Sequence, residues 1–416
     1  MVLLFMRLRI ILAFLIWGPS SFSQTSPKVV IIIADGIPAD VVERLKPPNL
    51  MGIAGEGVYK RAFVGGEKGG YTQTPTISAP GYNDLLTGTW AYKHNVWDND
   101  NQHPNYHYPT IFSMMRNARP SADLAIFSTW IENRKTLLGA DLAQTNHLKI
   151  NEIYDGFEKD TLRFPHDEDS WYLHLIDENV VHAADSVIRL KGPDLSWIYL
   201  EYTDDVGHSK GTGTAFDSAV FLLDLQMKKI SDAIHFRERT QNEKWLLLIT
   251  TDHGRDSLTG AGHGNQSERE RTTWMIMNQK DTNGYFKSEN PAIVDVLPTV
   301  ARYLGIPIPE NINRELDGTP MIGAVSVSKP VLENAEDKII LHWKNFGQPE
   351  TVSIYISYTN HYKSGGEDHY EFLGETKKGD SVFEKKIENL KYREFYKILI
   401  RGKYNKINIW KTPKTN

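Results

Sequence analysis

The chain of 416 residues contains no cysteine. That absence excludes disulfides, zinc held by thiolates, a cysteine nucleophile and a lipid anchor on an N-terminal cysteine. Any metal ion must be held by histidine, aspartate, glutamate or hydroxyl oxygen. Excess positive charge is also lacking. The formal net charge of −5 gives no electrostatic reason to expect binding to a nucleic-acid duplex. There is no internal repeat and no low-complexity linker. Beyond the N-terminus, no apolar run approaches the length needed to span a membrane.

At the N-terminus, Arg7 and Arg9 precede an apolar run from Ile10 to Trp17. Ser21-Phe22-Ser23 before Gln24 resembles a signal-peptidase site. The run is shorter than the ~20 residues a bilayer needs. The expectation is therefore a signal peptide over residues 1–23, an exported protein (periplasmic or extracellular) and no stable membrane anchor.

Hydrophobic content of 40% and charged content of 24% are those of an ordinary globular protein. The length predicts about two domains. "KVVIIIADG" (28–36), "LSWIYLEYTDD" (195–205) and "KWLLLITTDHG" (244–254) are continuous apolar runs that suit strands buried on both faces. "LAIFST" (124–129) is a fourth candidate. Helical patterns lie between them, notably 177–190 and 219–236, and 290–306 reads as the last helix. This alternation predicts an α/β catalytic domain over residues 24–323, with a mostly parallel central sheet flanked by helices. From residue 324 to 416 short β-rich segments alternate with polar turns. They predict an antiparallel β-sandwich of the fibronectin III or immunoglobulin type.

In open parallel sheets ligands bind beyond the carboxyl ends of the strands. Three of the predicted strands end there in candidate metal ligands: Asp35, then Asp204 with His208 four residues on, then adjacent Asp252 and His253. His263 follows in a glycine-rich loop. Three aspartates and three histidines suit two adjacent zinc ions with mixed nitrogen and oxygen shells. Two ions about 4 Å apart stabilise the attacking and leaving oxygens of an in-line displacement and let a hydroxyl attack near neutral pH.

In this order the elements resemble the alkaline phosphatase superfamily, most closely its type I phosphodiesterase/nucleotide pyrophosphatase branch. The resemblance covers about Lys28 to Gly323. It runs strand-Asp35, Ser78-x-Pro80 followed by "LLTG" (85–88), Asp204-x(3)-His208, Asp252-His253-Gly254 and a distal His263. It implies that Asp204, His208 and His263 hold one divalent ion. Asp35, Asp252 and His253 would hold the other, with Ser78 oxygen as a further ligand and the nucleophile. The ions implied are zinc, with manganese as the other candidate. Thr72, Thr74 and Thr76 lie near Ser78 but lack its spacing to Pro80, and read as exposed loop hydroxyls. Tyr82 stands where a formylglycine core requires arginine, which argues against a sulfatase.

Two further positions bear on the substrate. The branch places an asparagine three residues after its nucleophile, where this chain has Gly81. Asn99, in "HNVWDN" (94–99), resembles the segment that brings an asparagine to phosphate in related secreted monoesterases. Arg134 stands near where those enzymes place a Lys-x-Arg pair, with Glu132 in the lysine position and Lys135 as a stand-in. Tyr82, Trp90, Trp97 and Trp130 would stack on a base or sugar, or pack in the core. The substrate expected is a small phosphate ester, a nucleotide among the candidates, hydrolysed through a phosphoseryl intermediate at a helix N-terminus capped by Ser78. The alternatives are a metal-dependent phosphotransferase or phosphomutase of the same superfamily, and a non-catalytic exported glycan- or surface-binding protein.

Overall fold

The computed structural model describes residues 26–100, 103–335 and 337–413; the signal segment expected over residues 1–23 lies outside them. Seven strands form one sheet: β1 (Ser26–Ala34), β2 (Val58–Phe63), β3 (Leu124–Ser128), β4 (Glu152–Tyr154), β5 (Leu195–Leu200), β6 (Glu243–Thr250) and β7 (Thr272–Met277). Their order is β2-β7-β6-β1-β5-β3-β4. β1 is central and parallel to β5 and β6, β3 is parallel to β5 and β4, and β7 runs against both β6 and β2.

The apolar run of β1 explains the layering. Val29, Ile31 and Ile33 enter one core while Val30, Ile32 and Ala34 enter another, because successive side chains of a strand point to opposite faces. The helices Trp171–Leu190 and Thr214–Gln241 cover one face; Ser78–Thr87, Ile111–Ala118 and Val296–Leu304 cover the other. Strands β2, β4 and β7 escaped the sequence reading. β2 carries Lys60 and Arg61, β4 has three residues, and β7 follows directly on the charged turn Glu268–Arg271. The helix expected over 290–306 begins only at Val296, after a 3₁₀ turn over Ile293–Asp295, and it is not the last, because a one-turn helix over Glu310–Asn313 follows.

Two antiparallel sheets follow, β11-β10-β13-β14 and β12-β9-β8. They comprise β8 (Val327–Ala335), β9 (Lys338–Asn345), β10 (Ser353–Ser357), β11 (Glu371–Glu375), β12 (Val382–Lys386), β13 (Tyr396–Arg401) and β14 (Lys406–Lys411). Ile339, Leu341 and Trp343 of one sheet share a core with Ile354, Ile356, Ile398 and Ile400 of the other. Buried charge ties these sheets to the larger unit. Lys93 Nζ donates to Asp317 at 2.6 Å, to the Glu315 carbonyl at 2.7 Å and to Asn408 at 3.0 Å. Lys397 Nζ donates to Glu315 at 2.8 Å and to Asp368 at 2.7 Å. Trp410 lies against both ammonium groups, 4.5 and 4.3 Å from its ring centroid.

Candidate metal centre and nucleophile

The carboxyl ends of β1, β5 and β6 bring the candidate ligands to one edge of the sheet. His253 lies at the middle of the cluster. Its Nε2 is 3.4 Å from Asp35 Oδ1, 3.3 Å from Asp252 Oδ2, 4.0 Å from Asp204 Oδ1 and 3.4 Å from Ser78 Oγ. Two sets of ligand atoms fall within 4.8 Å of one another: Asp35, Asp252 and His253, and Asp204, His253 and His263. His208 Nε2 is 3.1 Å from Asp204 Oδ2 and 3.0 Å from His263 Nε2. It completes the second group from the solvent side, its side chain half exposed.

The orientation of each ligand has a local cause. His253 Nδ1 lies 2.9 Å from the Gly254 carbonyl, and His263 Nδ1 lies 2.9 Å from the Thr76 carbonyl. Only an N–H satisfies a carbonyl, so both rings turn the Nε2 lone pair inward, as metal-ligating histidines do. The two rings stack with centroids 3.7 Å apart. Asp35 Oδ2 accepts from Tyr82 and, at 2.8 Å, from Tyr199. Burial holds both phenols well above their ordinary pKa, so they stay protonated and donate. Asp252 Oδ1 accepts from Gly36 N at 3.2 Å.

What remains is a deficit of positive charge. Asp35 Oδ1 and Asp252 Oδ2 are buried without any hydrogen-bond partner. Burial, with the Asp204 charge adding, pushes Asp35 up to about 7 against the hydrogen bonds of its tyrosines. Burial raises Asp252 well above its usual value and drives His253 well below its own. Burial pushes Asp204 the same way, but the His208 hydrogen bond and the Arg255 charge carry it below its ordinary value. Partnerless buried carboxylate oxygens beside inward-turned imidazoles are costly alone and suit divalent cations with mixed N/O shells.

Ser78 is the first residue of its helix, and extended Ile77 is the N-cap. This corrects the expectation that Ser78 itself caps: its hydroxyl faces His253 and makes no capping bond. The Ala79 N–H at that helix start donates to Asn99 Oδ1 at 3.0 Å, which places Asn99 beside the nucleophile candidate. Gly81 has a reason of its own. A Cβ there would meet the Asp252 carbonyl oxygen at 2.9 Å and Asp252 Cβ at 3.0 Å, so the missing asparagine could not be housed at that position.

Other candidates fall elsewhere. Thr74 and Thr76 are buried, not exposed: Thr74 accepts from Ala91 N, and Thr76 donates to the Asn265 carbonyl and accepts from Gly264 N. They shape the loops as hydrogen-bonding struts. The Arg134 guanidinium is bound twice by Asp155, at 2.6 and 3.0 Å, and makes no hydrogen bond to the ligand cluster among the described residues. Tyr82 and Trp90 are buried, Trp130 is half-buried against Tyr82, and Trp97 is exposed. A cavity of about 270 Å³ between Phe63, Trp90, Tyr285 and Lys329 contains none of the candidate ligands. The sequence reading missed Tyr82 and Tyr199 as supports of Asp35, and Arg255, fully buried against Asp204. The only signal for Arg255 was its place directly after Asp252-His253-Gly254.

Comparison with known proteins fits this geometry. A family model described as type I phosphodiesterase / nucleotide pyrophosphatase matches residues 29–305. A 2,3-bisphosphoglycerate-independent phosphoglycerate mutase of Mycoplasma mobile is 34% identical over 117 residues, 28% of this chain and 21% of the relative. One from Mycoplasma capricolum is 27% identical over 140 residues, 33% of this chain and 25% of the relative. The chain thus spans about a fifth to a quarter of the length of these curated relatives. Among solved structures, a putative sulfatase from Bacteroides thetaiotaomicron superposes with a TM-score of 0.50 at 14% identity, covering 84% of this chain and 85% of that one. That likeness is one of fold.

Proposed function

The chain belongs to the type I phosphodiesterase / nucleotide pyrophosphatase family, and we propose that it is an exported, two-metal hydrolase of phosphate diesters that works through a phosphoseryl intermediate on Ser78. One observation carries this reading. The Ser78 hydroxyl stands at a helix start, 3.4 Å from an imidazole nitrogen that also faces the two partnerless carboxylate oxygens. Asp35, Asp252 and His253 would hold one ion and Asp204, His208 and His263 the other, zinc or manganese by donor set. Such ions, when bound, make a hydroxyl nucleophilic near neutral pH and offset phosphate charge.

The chain's own groups supply the rest. Ser78 Oγ forms a bond to phosphorus as the ester oxygen departs, and water then displaces Oγ from phosphorus. The helix dipole favours the anion at the helix start. Asn99 Nδ2 is available to donate to a phosphoryl oxygen, with its Oδ1 on Ala79 N. Tyr82 and Tyr199 fix Asp35. Arg134 is already neutralised by Asp155, so it is not free to serve as the additional cation that a dianionic monoester needs. This favours the singly charged diester. Residues 24–323 would be the catalytic unit, with residues 324–416 fixed against it by Lys93 and Lys397. The apolar run after Arg7 and Arg9 supports export.

A panel of bis-p-nitrophenyl phosphate, p-nitrophenyl phosphate, a phosphonate monoester and a sulfate ester tests this. The expected outcome is the highest kcat/KM on the diester, abolished in Ser78→Ala. Wild-type turnover by Ser78→Ala overturns it. The mutase relatives support a second reading, a phosphotransferase, which would pass the phosphoryl group to an added alcohol rather than to water.

A further inference from the structure

We infer that Arg255 is a positioning residue that builds the Asp204/His208/His263 half of the metal centre and touches the Asp35/Asp252/His253 half through the Gly36 carbonyl alone among the described residues; this rests on the two-ion reading above. Arg255 is fully buried, and its guanidinium binds Asp204 and the loop that leads to His263, with one further bond to the turn after Asp35. Nε donates to the Gly36 carbonyl at 3.0 Å, in the turn after Asp35. Nη1 donates to the Ala261 carbonyl at 3.0 Å, in the loop that leads to His263. Nη2 donates to the Asp204 carbonyl at 2.6 Å and to Asp204 Oδ1. A planar fork with five donors does this in one plane; an ammonium group does not.

The surroundings are cut to fit it. A Cβ on Gly207, one residue before His208, would land on the guanidinium carbon of Arg255. A Cβ on Gly36 (φ +67°) would strike Asp204 Oδ1 and approach Arg255 Nη2 to 2.9 Å. With Oδ1 taken by Arg255, Asp204 offers only Oδ2 outward, and that oxygen faces His208 Nε2 at 3.1 Å. The other half is built differently. Its carboxylates receive hydroxyl and backbone N–H donors, from Tyr82, Tyr199 and Gly36, and meet no lysine or arginine among the described residues.

The test is stepwise Zn²⁺ binding to the purified full-length protein, followed by chelator competition, in wild type, Arg255→Lys and Gly207→Ala. Arg255→Lys keeps the charge and loses the fork. Gly207→Ala keeps the arginine, pushes it aside and improves helix propensity, so it serves where the lysine variant does not fold. We expect wild type to take up two equivalents. Both variants should keep one equivalent within about threefold and weaken the other by about 10–100-fold, the range for lost support of a ligand. Asp252→Asn should show the reverse selectivity. Unchanged binding of both equivalents, parallel weakening of both, or unfolding of both variants overturns the inference. Fewer than two equivalents in wild type would instead break the two-ion reading.

Discussion

The carboxylates at the ends of β1 and β6 and the lysines at the junction with the C-terminal sheets are all buried, yet they are handled in opposite ways. Lys93 and Lys397 each meet a carboxylate within 2.7 Å and make further hydrogen bonds, so that cluster is closed. Asp35 and Asp252 each keep one oxygen with no partner, and the charges around them repel. Burial of charge is common to both, so burial does not distinguish function from architecture. Between these two clusters satisfaction does: the closed network holds elements in register, whereas the open one suits a ligand.

The comparison breaks if the two clusters respond alike to loss of one charge. Asp252→Asn should cost several kcal/mol of transition-state stabilisation, about a thousandfold in kcat/KM on a diester. In the chelated protein it should leave the melting temperature unchanged or higher, because one repelling charge is gone. Lys397→Met should do the reverse: activity per folded molecule is kept while denaturant unfolding shows a loss of about 3–5 kcal/mol, the cost of stranding a buried partner.

Smaller effects sharpen the contrast. Gly81→Ala forces a methyl group against Asp252 and should cost about 1–3 kcal/mol of stability, with a raised Zn²⁺ dissociation constant. Asp295, buried against Tyr285 and lifted by that burial to about 6, gives a signal confined to acid pH. The folded state holds its proton where the unfolded chain has lost it. Its contribution is therefore present below about pH 4 and is lost as pH rises to about 6, with a slope of up to about 1.4 kcal/mol per pH unit. Asp295→Asn should flatten that window in denaturant titrations.

Strand-end residues were legible because a buried parallel strand is a long apolar run, and its last polar residue stands out. Asp35, Asp252 and His253 stand out that way, and the structure brings them together. Arg255 and Tyr199 do not stand out, because their meaning depends on partners 51 and 164 residues away. The sequence marks Tyr82 as a departure from a sulfatase core and as a ring that stacks or packs, but carries no sign that it donates to Asp35. Arg134 looked available in sequence because Asp155, its partner, lies 21 residues on with no periodic relation to it. The hydroxyls of Thr74 and Thr76 were misjudged as exposed because loop sequence carries no record of which loops pack together.

Ser78 and Tyr82 sit one turn apart on the same helix, one facing His253 and the other holding Asp35. The proposed attacking group and the brace of a proposed metal ligand are thus inherited together. A protein engineer who transplants this helix moves both at once. A lineage that drifts at this helix retunes reactivity and ion retention as a single trait.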